Sequence, residues 1–235
     1  PLQAGEDPWT TSSASAIPFN DGWPEPEPLS PADLEKLAQA FAATARRAER
    51  AGIDLIELHM AHGYLLHQFL SPIANRRSDA YGDPMAFPLM VAAAVKAAVS
   101  ERVALGARIT GSDWSEEGIK PADAVRLARE LERAGFHYVD VTSGGIHPRI
   151  TVPVKPGYQV PFAEEVKRSA GLVTRAVGLI VDAAQAEEIV ASGRADQVAI
   201  GRGMLDNPRW GWHAAEKLGV KLDLPPQYVR AGKPV

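Results

Sequence analysis

Five short apolar runs, each followed by a segment of helical periodicity, constrain this chain more than any other feature. The runs are Leu55, Ile56 and Leu58; Val103 to Ile109; Tyr138 to Val141; Leu172 to Val177; and Gln197 to Ile200. Short apolar runs suit strands buried on both faces, and strands alternating with helices of this length point to parallel βα units. The helical segments carry their own punctuation. Ser30-Pro31 supplies an N-cap and a proline at the first helical position, Leu34, Leu37, Ala38, Phe41, Ala45 and Ala48 follow at helical spacing, and Gly52 stops the helix. Further helices are predicted at about Phe87–Ser100, Pro121–Ala134, Val160–Ser169, Ala183–Ser192 and Trp210–Leu218. A closed parallel barrel needs eight strands, because an open one leaves backbone groups unpaired and its interior exposed.

Residues 1–235 are expected to belong to one α/β domain, with 1–29, rich in Pro, Ser, Asp and Gly, an extended surface segment. A formal charge of −4 and the lack of a basic cluster argue against nucleic acid, and no apolar run is long enough to suggest a membrane span. The chain has no cysteine, which rules out disulfides and thiolate-held iron–sulfur clusters within it. A cytoplasmic location is the default expectation. Pro1 is not an initiator methionine, and the N-terminus reads as the start of a fragment or processed piece.

The stretch Asp54 to Asp83 holds the chemistry. Its apolar run delivers His59, His62 and Tyr64 at the point where α/β enzymes keep reactive groups, just past a strand's C-terminal end. His-x-x-His-Gly-Tyr has three readings. Two histidines could be half a zinc site, but there is no cysteine and no obvious third histidine ligand nearby, so no metal is expected. They could pack at a strand end and bond to backbone. Or two imidazole N–H groups could hold one substrate oxygen while the Tyr64 phenol moves a proton. Spacing alone leaves the last two open. Elsewhere, Arg108 lies near a strand end, while Gly178 and the pair Gly201-Arg202 follow the last two strands, where TIM barrels commonly bind phosphate.

The run ELHMAHGYLLHQFLSPIANRRSDAYG resembles the signature of the old yellow enzyme family, flavin-dependent ene-reductases built as TIM (β/α)8 barrels. The likeness covers nearly the whole chain and corresponds to barrel strands four to eight. The first three strands would lie upstream of Pro1 or come from a second polypeptide. Ser15-Ala16-Ile17-Pro18-Phe19 resembles the loop before the family's third barrel helix, and GYQVPFAE with PPQYVRA is similar to the thermophilic-like, or xenobiotic reductase, branch. The resemblance implies FMN as cofactor, NADPH or NADH as hydride source, and an enone or enal as substrate. It implies that His59 and His62 hold the substrate carbonyl, that Tyr64 is the proton donor, and that Arg108 lies against the flavin. Gly178, Gly201 and Arg202 would hold the FMN phosphate, and Arg230 would reach a neighbouring subunit's site in a homo-oligomer. Asp83-Pro84-Met85-Ala86-Phe87 departs from the family pattern, being about four residues shorter.

Two alternatives stand beside this expectation. Relatives acting on amines or dienoyl thioesters generally carry a cysteine cluster, which this chain lacks. A catalytically silent half-barrel acting as a structural or binding partner would bind no flavin.

Overall fold

The computed structural model describes residues 9–228. In chain order it comprises β1 (Ser12–Ser13), β2 (Glu27–Pro28), α1 (Pro31–Arg50), β3 (Leu55–Met60), α2 (Leu65–Leu70), a 3₁₀ turn (Ala80–Gly82), α3 (Ala86–Lys96), β4 (Ala104–Thr110) and α4 (Pro121–Arg133). There follow β5 (Tyr138–Thr142), α5 (Val160–Ser169), β6 (Val173–Ala176), α6 (Ala183–Ala191), β7 (Gln197–Val198), α7 (Arg202–Asp206) and α8 (Trp210–Lys217). Strands β3 to β7 form one sheet in sequential order, and every neighbouring pair is parallel. These are five consecutive βα units of a TIM (β/α)8 barrel. Among the described residues, β3 and β7 each pair on one side only.

The helices pack because their apolar residues share one face. In α1 the buried residues Leu34, Ala38, Ala42 and Ala45 recur at helical spacing, and Ser30 caps the first turn by accepting from Asp33 N. Helix α4 buries Ala124, Val125, Leu127, Ala128 and Leu131 in the same way. In β4, Leu105, Ala107 and Ile109 are fully buried and alternate with Gly106, Arg108 and Thr110. No helix in the described residues is long and apolar enough to cross a membrane.

Two expectations need correction. Strand β3 is not buried on both faces: Leu58 and Met60 are buried, while Leu55 and His59 are exposed. Residues 55, 57 and 59 share one face, so period-2 alternation shows through an apolar run that composition alone made uniform. Nor is the N-terminal segment simply a surface strip. Ser13, Ala14 and Ser15 are buried. Ser13 Oγ donates to Gln68 Oε1 at 2.9 Å, and Ser15 Oγ accepts from Arg76 N at 2.9 Å. The segment is tied down by polar groups on the connection after β3, which no hydrophobic pattern reveals. That connection also contains α2, where the sequence reading assigns no helix.

Arg77 is the strap. Its Nη1 donates to Ala14 O at 3.0 Å and to Leu29 O at 2.8 Å, while its guanidinium pairs with Asp79 and lies 5.8 Å from the Phe69 ring centroid. Replacing Arg77 by Ala should cost about 1.5–3 kcal/mol, the range for a single hydrogen bond to a charged group, and should open residues 9–29 to limited proteolysis. An unchanged cleavage pattern would show that the segment is held by other means.

Candidate active site

At the C-terminal end of β3 the chain makes a tight turn through two successive left-handed residues, His62 (φ 60°) and Gly63 (φ 76°). A β carbon on Gly63 would lie 2.2 Å from Gly145 O, and one on Gly145, 2.7 Å from His62 Cα. The turns after β3 and β5 therefore interlock backbone to backbone, and each needs glycine at the contact. The turn gathers three rings. His59 and His62 have centroids 5.1 Å apart, and His59 lies 5.2 Å from Tyr64. Tyr64 is 63% exposed at the mouth of the site.

Beside these rings is a cavity of about 260 Å³, lined by His62, Arg108, Thr142 and Gln159 together with the loops 177–181 and 199–203. It therefore unites five of the residues expected from sequence: His62, Arg108, Gly178, Gly201 and Arg202. His59 and Tyr64 do not line it themselves: His59 is in ring contact with His62, and Tyr64 with His59. Arg230 lies outside the described residues. Among the described residues no group of three or more His, Asp or Glu gathers as a metal site.

The sequence reading did not find the polar wall that joins the strand ends. Gln159 Oε1 accepts from Ser143 Oγ at 2.7 Å and from Thr142 Oγ1 at 3.1 Å, while Trp114 Nε1 donates to Ser143 Oγ at 2.9 Å. His62 Nε2 lies 2.9 Å from Thr142 Oγ1. Since the Thr142 hydroxyl hydrogen goes to Gln159, the hydrogen between His62 and Thr142 belongs to the imidazole. Thr142-Ser143 at the end of a strand is a usable signal for lining a cavity there. Gln159 falls within GYQVPFAE, a run that carries a likeness but assigns this side chain no role, and it sits beyond a long connection from the strand ends it joins.

Electrostatics favours an anion. Arg108 Nε is buried without a hydrogen-bond partner, an uncommon state for a donor. Burial, helped by the neighbouring Arg108 charge, lowers the affinity of His59 for a proton and pulls His62 down to about 4. Both imidazoles are therefore neutral donors near neutrality. Asp140, paired in register with Arg108, is pushed up to about 6 by burial, against the pull of that guanidinium.

Two outcomes follow from this geometry. Gly63→Ala should destabilise the fold by about 1–3 kcal/mol, since the added carbon meets rigid backbone in a left-handed conformation. A thermal melt matching the parent would refute the interlock. For His62, the folded state binds its proton more weakly than the unfolded chain does, so its contribution to stability should fall as pH drops from about 6.5 toward about 4. A histidine NMR titration placing His62 near its ordinary value would contradict this.

Residues 10–220 match the model of the NADH:flavin oxidoreductase / NADH oxidase family. The chain is 47% identical over 218 residues to an NADPH dehydrogenase of Geobacillus thermodenitrificans (strain NG80-2), covering 92% of this chain and 64% of that protein. It is 42% identical over 221 residues to an NADPH dehydrogenase of Listeria innocua serovar 6a, covering 93% and 65% respectively. The chain thus spans just under two thirds of the length of these relatives. Morphinone reductase in complex with tetrahydroNAD superimposes with a TM-score of 0.72 at 26% identity, over 93% of this chain and 62% of that one. A 2-naphthoyl-CoA reductase shares the fold, with a TM-score of 0.79 at 21% identity over 88% of this chain and 33% of that one. With its signature turn, its parallel βα order and a family match over most of its length, this chain belongs to the NADH:flavin oxidoreductase / NADH oxidase family, the family of old yellow enzyme.

Proposed function

We propose that the chain carries the catalytic strand ends of an FMN-dependent ene-reductase, which uses NAD(P)H to reduce the C=C bond of α,β-unsaturated carbonyl compounds. The observation that carries this reading is the cluster of His59, His62 and Tyr64 beside a cavity walled by Arg108 with its unpartnered Nε. The names of the Geobacillus and Listeria relatives favour NADPH as the hydride source.

The residues fit FMN. Arg108 offers a buried, unsatisfied donor and a fixed positive charge, suited to an electron-rich heterocycle edge. Gly178 lines the cavity with φ 126°, a backbone form that other residues rarely adopt. A β carbon at Gly201 would meet nothing within 4 Å, so the backbone there is open to approach by a ligand. Arg202 adds charge suited to a phosphate beside that bare backbone. When bound, FMN would supply the hydride-transfer chemistry between NAD(P)H and the alkene that no side chain here offers.

The side chains do the rest. The neutral imidazoles of His59 and His62 donate to the substrate carbonyl oxygen and draw electron density from the alkene. For His62 this means exchanging the Thr142 hydroxyl oxygen for the substrate carbonyl oxygen as acceptor. Tyr64, at the mouth, gives its phenolic proton to the α carbon and regains one from solvent. A neighbouring subunit contributing Arg230, and three further strands closing the barrel, complete the enclosure in this reading.

Purified full-length protein should be yellow and should bleach anaerobically with NADPH; colourless folded protein would favour the silent half-barrel. Tyr64→Phe should leave flavin reduction nearly intact while slowing alkene reduction by about 10²–10⁴-fold, the usual worth of a positioned proton donor. Equal losses in both half-reactions would remove Tyr64 from that role.

A further inference from the structure

One polar pair near the site touches neither the cavity nor the three rings. His67, in α2, and Asp113, after β4, are both fully buried, with His67 Nε2 2.9 Å from Asp113 Oδ1. Asp113 is also engaged on its other oxygen, Oδ2, which accepts from Ser71 Oγ at 2.7 Å and from Ile119 N at 2.8 Å. Burial pushes the Asp113 carboxyl up, but the bonds from His67, Ser71 and Ile119 outweigh it and hold the group below its ordinary value. An ionised carboxylate there only accepts, so Nε2 of His67 must carry a hydrogen.

The other ring nitrogen faces the catalytic turn. Gly63 N donates to His67 Nδ1 at 2.8 Å. A nitrogen that accepts an N–H carries no hydrogen of its own, so both contacts agree on one neutral tautomer, with the hydrogen on Nε2. Gly63 is the second of the two left-handed residues, lying between His62 and Tyr64. Its other peptide group is held as well, since Gln68 Nε2 donates to Gly63 O at 2.8 Å. A left-handed pair is easily lost, and this one is gripped by Gly145 on one side and by α2 side chains on the other.

We infer that His67 is a positioning residue, which fixes the aim of His62 and Tyr64 by accepting the Gly63 N–H, with Asp113 selecting the tautomer able to do so. The inference rests on the reading of Tyr64 as proton donor. It separates two functions of one ring: Nδ1 holds the turn, and Nε2 satisfies a buried carboxylate. If the pair served only to fill and neutralise the core, the Nε2 contact would be the one that matters.

Two amide substitutions divide these functions. In His67→Asn the short side chain can place its carbonyl oxygen near the position of Nδ1 and keep an acceptor for Gly63, while losing contact with Asp113. In His67→Gln the longer side chain can place its amide nitrogen near Nε2 and keep the donor to Asp113, while losing the acceptor for Gly63. Both are compared with the parent as full-length, flavin-loaded protein, following the two half-reactions separately and the Gly63 amide by hydrogen exchange. The expected result is that His67→Gln exchanges Gly63 fast and slows alkene reduction by about 10²-fold, the scale of a misaimed catalytic group, with flavin reduction unchanged. His67→Asn should stay close to the parent rate even if its melting temperature falls. The reverse order, or equal losses in both variants, would overturn the inference.

Nitrogen-15 NMR of the parent protein gives a reading that needs neither variant to fold. It should show His67 as the Nε2–H tautomer, and an Nδ1–H tautomer would overturn the inference. If the protein proves to be colourless, the ene-reductase reading fails, while the tautomer and the Gly63 exchange still decide whether His67 holds the turn.

Discussion

The in-register pairing of the five parallel strands governs the rest of the structure. His59 pairs with Arg108, Arg108 with Asp140, Asp140 with Arg175, and Arg175 with Gln197. One polar residue from each strand thereby falls on a single row, on the face opposite the helices. Closer to the strand starts a second row pairs Glu57 with Gly106 and Gly106 with Tyr138. Here the glycine is a packing requirement, because a β carbon at 106 would lie 2.0 Å from the Tyr138 ring. Tyr138 Oη donates to Glu57 Oε2 at 2.9 Å, and Arg175 lies over its ring at 4.6 Å from the centroid. A slip of one residue in any strand would send these groups into the helix layer and the aliphatic residues into the interior, so the register is strongly specified.

Placing so much charge at the heart of a sheet demands compensation. Arg175 sits 3.3 Å from Glu57 and 3.9 Å from Asp140, so one guanidinium serves a carboxylate of each row. The compensation is incomplete at the end nearest the cavity. Arg108 Nε and Asp140 Oδ1 are buried without partners, and Asp140 is held to about 6 by that burial. Unsatisfied groups of this kind are expected where a fold keeps interaction capacity in reserve for a ligand rather than for itself.

Backbone strain follows the same pattern. The three described non-glycine residues with positive φ are His62, Trp114 and Leu179, each on a connection that follows a strand of the sheet. His62 and Leu179 line the cavity, and Trp114 donates to Ser143 in its polar wall. Such conformations cost of order 1–3 kcal/mol each and persist only where surrounding contacts over-determine them. The Gly63–Gly145 interlock and the His67–Asp113 pair provide that over-determination for His62. The helices and strands supply a rigid frame, and the strained turns at its rim aim the side chains.

The sequence by itself determined the order of the βα units, most helix boundaries and the ingredients of the site. Those features depend on local rules: apolar spacing, Ser30 and Pro31 at a helix start, glycines at helix ends, and a signature of neighbouring residues from His59 to Tyr64. Arg108, Gly178, Gly201 and Arg202 were legible too, because parallel strands bring their C-terminal ends to one edge, so position along each strand predicts proximity. Only the tertiary structure decided that Gln159 joins the walls of the cavity, that the segment before α1 is strapped down by Arg77, and that β3 exposes one face. It alone paired Gly63 with Gly145 and His67 with Asp113, residues separated by long stretches of chain. Hydrogen bonds and steric contacts at such separations leave no periodic trace in sequence, since each depends on where an entire strand or helix comes to rest.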